Sequence, residues 1–147
     1  MLQKNKKDLM AEFRDRCKQH NLNITPQRVA IYEELIKSKD HPCSEDIFDR
    51  VRKVFADISL DTVYRTLSTF AEMGLVHIVE GYGEVRRYDP DTSPHHHFRC
   101  LECNNIVDFR NDSYDNLKIP AQFQKNFDVS SIKVVLEGKC GRCVRKS

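Results

Sequence analysis

Residues 59–89, SLDTVYRTLSTFAEMGLVHIVEGYGEVRRYD, decide the fold. The first part has a helical period: Val63, Leu67, Phe70 and Met73 recur at three- and four-residue steps. The helix is expected to start near residues 59–61. Gly74 stands where it can end in a left-handed conformation. Past Gly74 the period changes. Val76, Ile78 and Glu80 begin a strand, Gly81-Tyr82-Gly83 form a turn, and residues 85–89 return. A helix running directly into a hairpin, after earlier helices, is the winged helix-turn-helix plan. Its recognition helix enters a major groove and its hairpin rests on backbone or minor groove. Thr62, Tyr64, Arg65, Thr66 and Ser68 can face outward from the helix, and Arg86 and Arg87 lie on the wing. A plain helical domain with surface arginines would show the same pattern, so both readings stand at this point.

Working outward toward the N-terminus, residues 6–20 carry Leu9, Met10, Phe13 and Cys17 at helical spacing. Thr25-Pro26 is a start signal, a hydroxyl cap followed by proline at the first helical position. Val29, Ile31, Tyr32, Leu35 and Ile36 form the apolar set of that helix, which should stop near residues 38–41. Ser44 can cap a third helix, with Glu45 and Asp46 in its first turn and Ile47, Val51, Val54 and Phe55 as its buried face. Toward the C-terminus, residues 90–94 (PDTSP) read as a linker. Beyond them the pattern predicts a strand (95–100), a turn, a strand (105–110), a helix (113–126) and a strand (132–137). The expected class is therefore α+β. A winged-helix domain spans residues 1–89, a hinge 90–94, and a small α/β domain 95–147.

Bulk properties narrow the function. The 147 residues carry 24 Lys+Arg and 22 Asp+Glu, a net charge of +2. Any nucleic-acid contact must then use a local basic face rather than a bulk field. No apolar run reaches membrane-spanning length, and MLQKNKKDLM lacks the apolar stretch of a signal peptide. A cytoplasmic location with reduced thiols is expected. Three disulfides from the six cysteines are the alternative.

Four cysteines form two Cys-x-x-Cys pairs, Cys100/Cys103 and Cys140/Cys143. Two such knuckles complete a tetrahedral sulfur shell that suits Zn2+ and leaves no open position, so this site should be structural. His95-His96-His97 lies beside the first pair. On an extended strand His95 and His97 share one side and His96 faces the other. Asp89 precedes the linker, and Asp108 on the next strand can come beside the histidines. Imidazole with carboxylate fits a divalent transition metal, and carboxylate moves the preference toward Mn and Fe. His41, in the loop between the second and third helices, reads by itself as an ordinary loop histidine.

TPQR (25–28), SLDTVYRTLSTFAEMGLV (59–76), HHHFRCLEC (95–103) and CGRC (140–143) together resemble the ferric uptake regulator (Fur) family, in the family's order and over nearly the whole chain. The resemblance implies a homodimeric, metal-dependent transcription factor whose C-terminal domain dimerises. It would bind a double-stranded DNA operator with pseudo-palindromic half-sites. The match is closest to the peroxide-sensing PerR branch. There the regulatory ion is held by residues matching His41, Asp89, His95, His97 and Asp108, all of the expected type. Iron sensors more often have Glu at the positions of Asp89 or Asp108. Zinc sensors often bring a cysteine into this site; Cys43 is near but reads as a packed thiol. Two departures, Val129-Ser130-Ser131-Ile132 without a histidine and His96 where many iron sensors have Asp, weaken the case for the family's further metal site.

The resemblance also implies a mechanism. One Fe2+ or Mn2+ shared by both domains would favour the DNA-binding arrangement. Peroxide acting at Fe2+ would add oxygen to His41 or His95 and end repression. Alternatives are an iron- or manganese-responsive repressor, a mononuclear metalloenzyme and a zinc-bound adaptor. The last leaves His95, His97 and Asp108 unexplained.

Overall fold

A computed structural model describes residues 4–79 and 85–146. These fall into two units that divide between Thr92 and Ser93. Glu80 and the Gly81-Tyr82-Gly83 turn lie outside the described residues, as does Glu84.

The first unit is helical with a small ribbon. Helix α1 (Lys6–Gln19) begins at Asn5, whose side chain accepts the amide of Asp8. Helix α2 (Pro26–Lys37) begins at Thr25, whose Oγ1 accepts the amide of Arg28 at 3.2 Å, with proline at the first position where no amide is needed. Helix α3 (Ser44–Val51) departs from expectation: Cys43, not Ser44, is its cap residue. Asp46 reaches back to accept the Cys43 amide at 3.0 Å and the Cys43 thiol at 3.1 Å. Helix α4 (Leu60–Glu72) starts at Ser59, whose Oγ accepts the Thr62 amide at 3.0 Å. It ends as the sequence suggests. Gly74 has φ +71°, the amide of Leu75 bonds the carbonyl of Phe70, and the amide of Gly74 bonds that of Ala71.

Phe13, Tyr32 and Phe70 lock three of these helices together. Phe13 stacks on Tyr32 with ring centroids 4.8 Å apart, and both meet Phe70 edge-on. Ile31, Leu35, Ile47, Val51, Val63 and Leu67 complete the core. Val54, expected inside, is 76% exposed because α3 ends at Val51 and the helical face does not extend to it. Strand β1 (His77–Ile78) pairs antiparallel with β2 (Tyr88–Asp89), His77 opposite Asp89.

The second unit is a three-stranded sheet in the order β4-β3-β5. Strand β3 (His96–Cys100) pairs antiparallel with β4 (Ile106–Phe109), placing His97 opposite Asp108. Strand β5 (Val135–Gly138) runs parallel to β3 on its other side, with Cys100 opposite Gly138. The helix expected over residues 113–126 is not formed. Only α5 (Asp112–Asp115) and a 3-10 turn (Ala121–Phe123) occur there. Pro120 lacks an amide, its ring would clash with the carbonyl four residues earlier, and it disfavours a helical Ile119. Helix α6 (Gly141–Lys146) carries the last cysteine. Among the described residues no helix is long and apolar enough to cross a membrane.

Candidate metal centre

The four thiols of the second unit converge, with all their sulfurs within 4.8 Å of one another. Cys100 ends β3, Cys103 follows in a turn closed by Asn104 at φ +59°, and Cys140 and Cys143 flank the start of α6. Cys103 Sγ and Cys140 Sγ are 3.8 Å apart. Four sulfurs about 2.3 Å from a tetrahedral zinc would be separated by about 3.8 Å, so the donor set fits that ion. The amides of Cys103 and Cys140 donate to the Cys100 sulfur and pull its thiol down to about 6. The amide of Asn105 lowers Cys103, whereas burial pushes Cys143 up to about 12. A cation is what lets all four ionise together.

The second unit also assembles three donors around the histidine run. His95 Nε2 and His97 Nε2 are 3.0 Å apart, and Asp108 Oδ1 lies 3.1 Å from His97 Nε2 and 3.6 Å from His95 Nε2. The His97–Asp108 cross-strand pair brings the carboxylate there. His95 Nδ1 is 2.7 Å from the Ser93 carbonyl, which can only accept. That bond places the ring proton on Nδ1 and leaves the Nε2 lone pair facing His97 and Asp108, the tautomer a metal ligand needs. Arg110 secures the segment by donating to the Pro94 carbonyl and, at 2.7 Å, to Ser93 Oγ. Two imidazole nitrogens bound about 2.1 Å from one ion at right angles would sit about 3.0 Å apart, so this half fits a divalent metal.

His96 faces the opposite side, as alternation requires. Its Nδ1 accepts the Val134 amide at 3.1 Å and its Nε2 donates to Asp115 Oδ1 at 2.7 Å, with the ring 1% exposed against Phe109 and Tyr114. The partners Asp115 and Val134 were not foreseen, because no local period reports pairings so distant in sequence.

The first unit carries the other two candidates together. His41 and Asp89 are both buried, with His41 Nε2 3.4 Å from Asp89 Oδ2. The amide of Asp91 bonds Asp89 Oδ1 at 2.9 Å and so orients the carboxylate. His41 has φ +51° and precedes Pro42. A left-handed backbone at a residue with a side chain costs about 1–3 kcal/mol and persists only when its surroundings impose it. Burial pushes the nearby Cys43 thiol up to about 11, in keeping with a packed thiol.

Of the candidate DNA contacts, Tyr64 and Arg65 are exposed on α4, with Arg65 paired to Asp61 at 2.9 Å. Thr62 is half-buried, its hydroxyl 2.8 Å from that of Ser59. The exposed Arg86 sits over the Tyr64 ring, 5.9 Å from its centroid, joining wing and helix in one surface. Thr66 and Ser68 do not face outward as expected: Thr66 is buried and Ser68 half-buried, because both fall beside Leu67 on the packed face. Arg87 directs its guanidinium to the α2–α3 loop, with Nε donating to the His41 carbonyl at 2.7 Å and Nη2 to that of Asp40.

Comparison with known proteins agrees with these features. The model of the ferric uptake regulator family matches residues 19–137. The peroxide operon regulator of Bacillus subtilis is 36% identical, over 93% of this chain and 94% of that protein. The peroxide-responsive repressor PerR of Staphylococcus aureus (strain Mu50) is 33% identical, over 88% of this chain and 87% of that protein. Among solved structures, the Helicobacter pylori ferric uptake regulator Fur superposes with a TM-score of 0.80 at 22% identity, covering 96% of this chain and 95% of that one. That last likeness concerns the fold alone.

Proposed function

Because this chain belongs to the ferric uptake regulator family, we propose that it is a metal-dependent transcriptional repressor that releases its operator when hydrogen peroxide oxidises a ligand histidine. It is a regulator, not an enzyme. Its cofactors are a structural Zn2+ on Cys100, Cys103, Cys140 and Cys143 and a regulatory Fe2+ or Mn2+. The ligand set that the family resemblance implies for the regulatory ion is His41, Asp89, His95, His97 and Asp108.

The observation that carries this reading is the convergence of His95 Nε2, His97 Nε2 and Asp108 Oδ1. With His95 Nδ1 committed to the Ser93 carbonyl, its Nε2 presents a lone pair beside His97 and Asp108. The all-Asp carboxylate set and the names of the curated relatives support peroxide over iron as the signal. When bound, Fe2+ would supply the one-electron chemistry that opens the O–O bond and would be returned to Fe2+ as the ring is oxidised. In net terms H2O2 is the two-electron oxidant: one of its oxygens would replace the hydrogen on a ring carbon of His41 or His95, and the other would leave as water. The altered ring would ligate poorly, so the regulatory ion would be lost and the DNA-binding arrangement would lose its differential stabilisation. The DNA face comprises Thr62, Tyr64, Arg65 and Arg86, with Arg87 at the base of the wing. Two copies in a homodimer present two such faces to pseudo-palindromic half-sites. Exposed Phe127, Val135 and Leu136 on the second unit are apolar surface suited to the other copy. The site of action is cytoplasmic.

The test is anaerobic DNA retention with Fe2+- or Mn2+-loaded protein, before and after a small dose of H2O2, followed by peptide mass spectrometry. Release only from the Fe2+ form, with one oxygen added at His41 or His95, is expected. Retention in both forms with unmodified histidines would make it an iron- or manganese-responsive repressor instead. His41→Ala should abolish metal-dependent DNA retention while zinc content and dimer remain.

A further inference from the structure

We infer that Arg87 is a positioning residue for the regulatory metal, acting on His41 through the backbone of the α2–α3 loop. This assignment rests on the reading of His41 as a ligand, and it moves Arg87 off the DNA face where its place on the wing had put it.

The loop has to hold an unfavourable conformation. His41 is left-handed at φ +51°, and the following Pro42 further restricts it. The position of the imidazole depends on that backbone, so whatever imposes it also aims the ring. Arg87 supplies the constraint. Its planar fork reaches two successive carbonyls, Nε to His41 at 2.7 Å and Nη2 to Asp40. A guanidinium holds two acceptors in fixed directions, which a single ammonium on a flexible stem cannot do. The neighbouring residues extend the hold. The Tyr88 amide bonds the Pro42 carbonyl at 3.0 Å, and Asp89 Oδ2 stands 3.4 Å from His41 Nε2. Three consecutive residues of the wing's return strand thus grip the loop backbone and meet its ring. From the other side, Arg50 donates to Ser38 Oγ at 2.6 Å and Asp40 Oδ2 at 2.9 Å, steadying the approach to His41 but not its own peptide.

The experiment uses the full zinc-loaded dimer without DNA. Mn2+ affinity is measured for wild type, Arg87→Met, Arg87→Lys and His41→Ala. Loss of a residue that orients a ligand typically weakens metal binding about 10- to 100-fold, and that is expected for Arg87→Met, with partial recovery in Arg87→Lys. Zinc content should be unchanged. In Mn2+-free protein, exchange of the Tyr88 amide should speed up in Arg87→Met, since its acceptor loop is released. At saturating Mn2+, the variant should regain wild-type DNA affinity and salt dependence, whereas loss of a phosphate contact would lower the salt slope by about one.

Wild-type Mn2+ affinity in both Arg87 variants, with binding lost in His41→Ala, would overturn the role of Arg87 and leave the ligand reading standing. Wild-type Mn2+ affinity in His41→Ala would remove the ligand reading and this inference with it. Arg87→Lys serves as the decisive variant if Arg87→Met does not fold.

Discussion

At the scale of single residues, the middle histidine of the run is defined by the two bonds it makes on the face away from His95 and His97. His96 is buried and satisfied at both nitrogens, by Asp115 and by the Val134 amide. His96→Leu keeps much of the volume but leaves the half-buried Val134 amide without its acceptor, while Asp115, 39% exposed, turns to water. It is expected to destabilise the zinc-loaded protein by about 1–3 kcal/mol, read from the urea midpoint of sheet unfolding. The orientation of His96 was legible in the sequence, because alternation on a strand is local geometry. Its partners were not, since they come from a crossover that no short window contains. Arg87 shows the converse case. Alternation places Arg87 and Asp89 on the same face of the return strand, a signal present in the sequence. A long cation on a hairpin still reads first as solvent-facing, and only the folded loop reveals two carbonyls waiting for it.

Secondary-structure elements were legible where their ends are encoded within four residues. Thr25-Pro26, Ser59 and Gly74 mark boundaries that the structure keeps, because a cap is a contact between near neighbours. Helix α4 offers a direct test. At Gly74 an added Cβ would meet only Arg16 Nη1 at 3.5 Å, an ordinary contact, so the penalty of Gly74→Ala lies in the φ of +71°. A loss of about 1–2 kcal/mol is expected in thermal or urea unfolding of the first unit, with Gly74→Asn costing less. Element reading failed where a side chain took an unusual part or a proline was overridden by pattern. Cys43 caps α3 in place of the better-suited Ser44, with Asp46 supplying the acceptor. Residues 113–126 have helical composition, yet Pro120 divides them.

For the whole molecule, the two units are held together internally by different means. The first has a continuous aromatic and aliphatic core, whereas in the second Cys100, Ile106 and Cys143 are the buried apolar residues among those described. Stripping zinc with a strong chelator is therefore expected to melt the β4-β3-β5 sheet and leave the helical signal of the first unit, seen as partial loss of far-ultraviolet ellipticity. The parallel pairing of β3 with β5 has a kinetic consequence. His97 must find Val135 across a connection that is mostly irregular, where parallel strands usually rely on a crossover helix. Closing so long a loop precedes any reward from the contacts it makes, which slows folding. The thiolates stand at the end of β3 and just past β5, so one ion can hold the loop shut while the strands settle. Refolding should show a fast phase indifferent to zinc and a slower one whose rate climbs with zinc concentration before levelling off. In a growing cell, zinc supply would then set how quickly a newly made copy of the chain matures.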